Sequence, residues 1–509
     1  MSVANRRDFL SFTGAGLLTA LSGGADWTRL SRAAADEPAL TSEIVRFTPE
    51  IEPLVRKIEE TPAEPCFEMA VAELKRGVTY RQFLAAVFLA GIRNVNPQPP
   101  GFKFHCVFAI HAAHQLSLDA PVRDRLLPLF WALAEFKQSQ AEDVKLGDFV
   151  LRDPVGPIPS PEQAWTEFDT AMNAWDEPRA DRAIVSLVRS RGAHEVVEGL
   201  WKYGARDYRN IGHKAIFVAN AWRTLQTIGW RHAEPVLRSL VLALLDFKQK
   251  EVNNFAFENQ SYLPNQRRVA ENLAKLAGNW TATSGNADFT RDLLETLRSG
   301  DMLRSADQAV AALVAGKAQA GAVWDAVHLA AGELMMRQPG IFGIHTVTSV
   351  NALHYAFRQS AEPANRLLLL LQGIGWMCQF QQFMASRDSK LNATRITDLP
   401  VVDIAADGST ALATIFDKLS GDPAAAAPLA LTFAARGGDL SAFAGMARGL
   451  VLRKQSDAHH YKYTASIFED LDVVSPVWRP QMLATSVYYI RGSQSPDSPL
   501  LDQVRSALS

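Results

Sequence analysis

The sequence is poor in cysteine, and the three cysteines it has are scattered. Cys66, Cys106 and Cys378 form no Cys-x-x-Cys or haem-attachment spacing, so we expect no disulfide framework, no structural zinc site and no c-type haem. Acidic and basic residues are nearly balanced, at 54 Asp+Glu against 52 Lys+Arg. No block carries charge of one sign, so the chain lacks the electrostatic footprint of a nucleic-acid-binding protein.

Long hydrophobic runs and common catalytic motifs are also missing. No segment is apolar over the roughly 20 residues that a transmembrane helix needs, so we expect no membrane span in the mature protein. The sequence contains no Gly-x-Gly-x-x-Gly fingerprint, P-loop, His-Glu-x-x-His or Gly-x-Ser-x-Gly. Nothing therefore indicates nucleotide binding or serine hydrolysis.

The N-terminus carries the most specific local signal. "NRRDFLSFTGAGLLTALSG" places Arg6-Arg7 before Phe9-Leu10 and a short, weakly apolar run, which is typical of a twin-arginine export signal. The small-residue stretch "RAAADEP" predicts cleavage near Ala35. We therefore expect residues 1–35 to be recognised by the twin-arginine translocase and the mature protein to be periplasmic or otherwise exported. That pathway moves folded proteins, which favours a cofactor bound before export.

After Phe47 the chain is rich in helix formers, and its apolar residues recur at three-to-four spacing. This pattern predicts an all-α protein. A histidine followed by an apolar helix recurs four times at intervals of roughly 110 to 130 residues, which indicates a long internal repeat. The four segments are "FHCVFAIHAAHQL", "GHKAIFVANAWRTL", "IHTVTSVNALHYAF" and "HHYKYTASIFEDL".

We predict four repeats of about four helices each, over residues 36–157, 158–282, 283–398 and 399–509. A unit that cannot bury both of its faces alone must stack on its neighbours. Open stacking would expose a large apolar face. We therefore expect an α/α toroid or a strongly curved α-solenoid.

The recurring histidines are the candidate site. Imidazoles that converge in a dry cavity suit iron or copper, so we predict His105, His213, His345 and His460 as metal ligands, with the adjacent His459 as the alternative fourth. His105, His213 and His345 are also the catalytic candidates. A purely structural alternative stays open, in which each histidine only forms a hydrogen bond with a neighbouring loop carbonyl at a helix start. Cys106 is similarly either a thiolate or inert core.

Polar residues on the same helices are candidates for binding a substrate. His213 and Asn220 share one helix face, because seven positions bring a side chain round to within about 20°. We predict Asn220, Asn351 and Arg223 as substrate-binding residues, since amides and a guanidinium could hold a small molecule beside the histidines.

The helices "GHKAIFVANAWRTL" and "GIHTVTSVNALHYAF" resemble those of the questin oxidase-like family over most of the region after Phe47. These helical proteins carry several histidines that precede Ala-rich helices, and they include enzymes assigned to oxidative ring opening of aromatic polyketides. The resemblance implies an oxidoreductase with His213 and His345 as its first candidate site residues. His105 is the next candidate. The export signal departs from the family's usual pattern.

Two functions follow as hypotheses. The first is an exported oxidoreductase, metal-dependent or cofactor-free, that acts on a small aromatic or apolar molecule. The second is a non-catalytic periplasmic helical-repeat protein that binds a partner or serves as a scaffold. An enzyme needs His213, His345 and Asn220 at an enclosed pocket, whereas a scaffold would bury them in interhelical hydrogen bonds.

Overall fold

Helices and the loops between them make up the described chain. The computed structural model describes residues 44–246, 258–386, 391–455 and 457–508, and these ranges contain no β-sheet. The predicted all-α class is therefore confirmed. Within the same ranges no helix is both long and apolar enough to cross a membrane. The predicted export signal at 1–35 lies outside the described residues.

Many helices begin where the sequence supplies a capping side chain. A side-chain oxygen that accepts a hydrogen bond from a backbone amide of the first turn satisfies a donor that has no intrahelical partner. Residues that cap in this way are Thr79, Asp176, Asn286, Asp301, Asp407, Asp422, Asp439 and Asp457.

The first half of the chain, through residue 282, corresponds to the first two predicted repeats. The first contains α1 (Glu52–Glu60), α2 (Cys66–Lys75), α3 (Tyr80–Asn94), α4 (His105–Phe108), α5 (Ile110–Leu118) and α6 (Leu127–Leu146). The second contains α7 (Ala164–Ala174), α8 (Glu177–Ser190), α9 (Ala193–Gly204), α10 (His213–Ile228), α11 (Ala233–Leu244) and α12 (Leu263–Asn272).

The second half holds the other two predicted repeats. The third contains α13 (Ala287–Arg298), α14 (Met302–Val314), α15 (Ala320–Arg337), α16 (Ile341–Gln359) and α17 (Pro363–Ala385). The fourth contains α18 (Gly408–Leu419), α19 (Pro423–Ala435), α20 (Leu440–Lys454), α21 (Ala458–Val473), α22 (Arg479–Ser486) and α23 (Pro499–Leu508). The described parts of each predicted repeat thus hold five or six helices rather than about four.

The four histidine helices lie at the centre of the unit formed by Val45–Ser509 and contact one another in a cycle. Helix α10 packs on α16, α16 on α21, α21 on α5, and α5 with α4 on α10. This closed cycle is compatible with the predicted curved repeat, and it brings four helix starts together. The histidine segment of the first repeat is divided between α4 and α5 at Ala109.

Candidate functional site

Four histidines from the four central helices meet in the core, and together they form what we call the histidine cluster: His105, His213, His345 and His459. Each imidazole neighbours two others, with ring centroids 5.3 Å apart for His105 and His213, 4.4 Å for His213 and His345, 5.4 Å for His345 and His459, and 4.7 Å for His459 and His105. One nitrogen each of His105, His345 and His459 lies within 4.8 Å of the other two. The predicted histidines His105, His213 and His345 are therefore brought together.

Three members of the cluster are held in one tautomer by the backbone. Their Nδ1 atoms donate to carbonyl oxygens three or four residues upstream: His105 to Phe102 (3.1 Å), His213 to Asn210 (2.5 Å) and His345 to Ile341 (2.6 Å). A carbonyl oxygen only accepts, so each Nδ1 carries the proton and each neutral ring has its lone pair on Nε2. Such bonds orient a histidine for metal ligation.

The Nε2 atoms of His213 and His345 lie only 2.9 Å apart. Burial is the largest cause that holds the pKa of both rings well below the usual value, and Lys462 lowers both further. With both rings neutral, the lone pairs on the two Nε2 atoms face and repel each other at this distance. A cation bound between the two atoms would remove that repulsion. A proton would do so only at the cost of a buried charge.

The fourth member of the cluster is His459, whereas the predicted ligand His460 lies outside it. Neighbouring residues on a helix point about 100° apart, so only one of the two imidazoles can face the centre. His460 instead stacks on Tyr489, with ring centroids 4.6 Å apart. His459 Nε2 is buried and has no hydrogen-bond partner among the described residues.

A carboxylate takes the place of the backbone carbonyl at His459. Asp457 Oδ1 lies 3.3 Å from His459 Nδ1 and also accepts the His459 backbone N–H at 2.7 Å, which caps α21. Burial acts to raise the pKa of Asp457, but its interactions with His459 and His460 hold that pKa below the usual value. This is the carboxylate–histidine arrangement found behind many metal ligands.

Lys462 adds an amine to the cluster. It lies one turn after His459, it is 2% exposed, and its Nζ is 3.1 Å from His105 Nε2 and 3.5 Å from His345 Nε2. Burial lowers the pKa of Lys462 to about 7, so a large fraction of this amine is uncharged near neutral pH. An uncharged amine can accept a proton or donate its lone pair to a metal ion.

A strained turn sets the position of His213. Asn210, Ile211 and Gly212 have φ of 57°, 51° and 85°, and this left-handed conformation is costly for a β-branched residue such as Ile211. Gly212 is required at its position because a Cβ there would lie 2.6 Å from the Cβ of Ser349. The turn directs the Asn210 carbonyl at His213 Nδ1.

A cavity of about 200 Å³ adjoins the cluster, and Lys462 is part of its wall. The predicted substrate-binding residues Asn220, Asn351 and Arg223 all line it. Arg223 Nη1 donates to the amide oxygens of Asn220 (3.1 Å) and Asn351 (3.3 Å), and Arg223 Nη2 pairs with Glu469 Oε2 at 2.5 Å. Concave pockets with a few converging polar groups are the usual form of small-molecule sites.

Sequence reasoning missed Lys462 and Glu469 as residues of the site. A lysine inside the apolar part of "HHYKYTASIFEDL", one turn from a candidate ligand, was the available signal for Lys462. Cys106 is buried, and burial raises the pKa of its thiol, so it is part of the core rather than a thiolate.

The chain yields no match in comparisons with protein-family models, with curated proteins or with solved structures. The resemblance to the questin oxidase-like family therefore rests on the histidine helices alone and stays a hypothesis.

Proposed function

We propose that this chain is a metal-dependent oxidoreductase in which the histidine cluster holds an iron or copper ion. The observation that carries the proposal is the 2.9 Å approach of His213 Nε2 to His345 Nε2, with both Nδ1 atoms bonded to carbonyl oxygens. Two lone pairs converge there in a buried site, and the unpartnered Nε2 of His459 adds a further donor.

The donors that meet here are imidazole nitrogens with an amine beside them. Imidazole suits copper and iron as well as zinc, and of these ions copper and iron would supply the redox chemistry that the proposal requires.

The residues of the site would have separate roles in binding the metal, moving protons and excluding water. His105, His345 and His459 each offer a nitrogen within 4.8 Å of the other two and would bind the ion. His213, whose Nε2 lies 2.9 Å from His345 Nε2, would be a further ligand on the His345 side, and the Lys462 amine would serve as an additional donor or as a base beside the ion. Bound iron or copper would supply one-electron chemistry and reaction with dioxygen. Burial of the cluster would exclude water from that chemistry.

The adjoining cavity supports an enzyme over the alternative scaffold function. Its wall contains Asn220, Asn351 and Arg223, so the polar groups of the histidine helices border a cavity as well as bonding to one another. A scaffold protein would have no need of a cavity at its histidine cluster. A small molecule in this space would contact Lys462 and lie close to the metal.

Export in the folded state fits this proposal. A protein that binds its metal before translocation takes the ion with it, and Arg6-Arg7 is the sequence feature that supports the twin-arginine route. We expect Arg6→Lys with Arg7→Lys to abolish export of a reporter fused after residue 35. Export that is unchanged in this double variant would contradict the proposed route.

The experiment that tests the proposed function measures the metal in protein purified without chelators or a His-tag. We expect close to one iron or copper ion per chain by mass spectrometry, with an optical spectrum. The variant His213→Ala, His345→Ala should lose the metal, whereas His232→Ala, at a buried histidine outside the cluster, should keep it. A metal-free, colourless wild type that also binds no added iron or copper would overturn the proposal and favour a cofactor-free oxygenase or a scaffold.

A further inference from the structure

The turn that leads into the histidine helix α10, residues 208–213, has an unusual backbone conformation. Asn210 and Ile211 have φ of 57° and 51°, and Gly212 follows with φ of 85°. Glycine adopts positive φ without steric cost and asparagine tolerates it, but a β-branched side chain such as that of Ile211 is strained there. Among the described residues only four that are not glycine have positive φ. Two of the four stand side by side in this turn.

The other members of the histidine cluster are carried by backbone of ordinary conformation. His345 lies inside α16, one turn after its start, and His105 follows a residue with φ of −78°. His459 stands in the first turn of α21, behind the extended cap residue Asp457. No described residue other than glycine has positive φ next to these three histidines. Backbone strain is therefore confined to the segment that supplies His213.

Two contacts connect the 208–213 turn to the cluster. His213 Nδ1 donates to the Asn210 carbonyl at 2.5 Å, so the turn sets the direction of the imidazole. Nε2 of the same ring lies 2.9 Å from His345 Nε2, where the lone pairs of two neutral rings repel each other. Without a bound ion, the backbone strain and this repulsion both favour movement of His213 away from His345.

The base of the turn is fixed, so such a movement is confined to the residues within it. Asp207 Oδ2 pairs with Lys214 Nζ at 3.0 Å, and neither side chain is exposed. Lys214 Nζ also donates to the carbonyl oxygens of Leu244 (3.0 Å) and Asp246 (2.9 Å). Breaking a buried ion pair leaves an uncompensated charge. We therefore expect the Asp207–Lys214 pair to persist while the turn between its two members changes.

Two further contacts hold the turn in its strained form. Asn210 Nδ2 donates to Asp246 Oδ2 at 3.0 Å. Gly212 packs closely on two neighbouring helices, because a Cβ at this position would lie 2.6 Å from the Cβ of Ser349 and 3.3 Å from the Trp376 ring. These contacts oppose the strain of two adjacent residues, and a bound ion that contacts only one form of the turn shifts the balance toward that form.

We propose that the 208–213 turn is a metal-dependent latch. Without an ion the turn opens, its strain is released and His213 moves away from His345, whereas an ion bound by both imidazoles closes it. The other three imidazoles each offer a nitrogen within 4.8 Å of the other two, so an ion can bind before His213 joins. The inference rests on the proposed metal site and assigns His213 the role of the ligand that joins last.

Ile211→Gly and Ile211→Ala test the latch as a matched pair. Both variants remove the isoleucine side-chain contacts beyond Cβ, but only glycine releases the strain of positive φ. Because closing then restores less strain, we expect Ile211→Gly to bind the ion more tightly than Ile211→Ala by about fivefold or more. Affinity is measured with iron(II) and with copper(I), each in competition with a chelator of known affinity. Circular dichroism establishes that each variant is folded.

Hydrogen exchange of the 208–214 peptide follows the latch directly. In metal-free protein we expect this peptide to exchange more slowly in Ile211→Gly than in Ile211→Ala, relative to the rest of α10, although glycine is the more flexible residue. In wild type, exchange over 208–214 should slow when the ion is added. This comparison needs no variant. Wild-type exchange that is unchanged by a bound ion would overturn the inference.

The control pair is Asp148→Gly and Asp148→Ala, because Asp148 has φ of 52° and lies after α6, outside the cluster. Both control variants should bind the ion equally tightly. A rigid turn would make the two Ile211 variants differ in thermal unfolding alone, so equal metal affinities or equal exchange over 208–214 overturn the latch. Wild type that binds neither ion overturns the proposed function together with the latch. Wild type that binds an ion, with equal affinities in the two Ile211 variants, overturns the latch alone.

Discussion

His213 and His345 lie 132 residues apart in the chain, and their Nε2 atoms approach to 2.9 Å. Both Nδ1 atoms are committed to carbonyl oxygens, so the approach brings two acceptors together in the core. Unlike charges and donor–acceptor pairs stabilise a core, whereas two facing lone pairs do so only through a shared cation. This contact is the reason to regard the cluster as a metal site.

We expect His459→Ala to weaken metal binding strongly and His460→Ala to leave it nearly unchanged, because only His459 belongs to the histidine cluster. Loss of His459 removes one of the four imidazoles of the cluster, and should weaken metal affinity by more than the roughly 10- to 100-fold typical of outer-shell changes. His460 stacks on Tyr489 outside the cluster, so its loss should leave affinity nearly unchanged. Competition with a chelator of known affinity measures both. A larger loss of metal affinity in His460→Ala than in His459→Ala would show that His460 is the fourth ligand.

Asp457→Asn should weaken metal binding without unfolding α21. Asparagine caps helices as well as aspartate does, but its neutral amide oxygen holds the His459 Nδ1–H less strongly than a carboxylate. We expect a roughly 10- to 100-fold loss of metal affinity with unchanged helicity. Asp439→Asn is the matched control, because Asp439 caps α20 without contacting a histidine of the cluster. Equal affinities in the two variants would contradict the positioning role.

The stability of the metal-free protein should depend on Lys462 in a defined pH window. Its pKa is about 7 when folded and about 10.4 in an exposed lysine. Between these two pKa values the unfolded chain binds more protons than the folded chain. The contribution of Lys462 to the free energy of unfolding therefore rises with pH across this window. It is smallest below about pH 7. The stability of the folded state is thus penalised most on the acidic side of this window.

Lys462→Met removes that dependence. We expect the variant to exceed wild type in free energy of unfolding near pH 7, and the difference to shrink by up to about 4 kcal/mol by about pH 10. Urea unfolding at several pH values measures the difference. Lys202→Met, at a partly exposed lysine that pairs with Asp169, is the control for loss of a lysine outside the core. A flat difference in Lys462→Met itself would show that the amine keeps an ordinary pKa.

Gly212→Ala should both destabilise the fold and displace His213. The backbone there has φ of 85°, and a Cβ would meet Ser349 at 2.6 Å. We expect a loss of about 1–3 kcal/mol from backbone strain and about 1–3 kcal/mol more from overpacking, together with weaker metal binding. Gly77→Ala provides the control, since Gly77 has φ of 101° and open space around it. Thermal unfolding that gives equal losses would show that the contact with Ser349 contributes nothing.

Much of the site could be predicted from local sequence pattern. The helical periodicity and the histidine at each helix start located His105, His213 and His345, and the seven-residue spacing linked Asn220 to His213. The structural interpretation, in which each histidine forms a hydrogen bond with a loop carbonyl, describes the Nδ1 atoms of these three residues correctly. The same bonds leave the Nε2 lone pairs turned toward the cluster and Lys462, so the structural and the functional interpretation are not exclusive.

The sequence by itself determined that the described chain is helical and that each of four central helices carries a histidine near its start, because periodicity and turn residues act over a few positions. Only the tertiary structure decided that His459 rather than His460 faces the cluster, that Lys462 joins it, and that His213 meets His345. Those outcomes depend on how helices more than 100 residues apart rotate and approach one another. Side-chain packing between helices sets that geometry, and no local pattern encodes it.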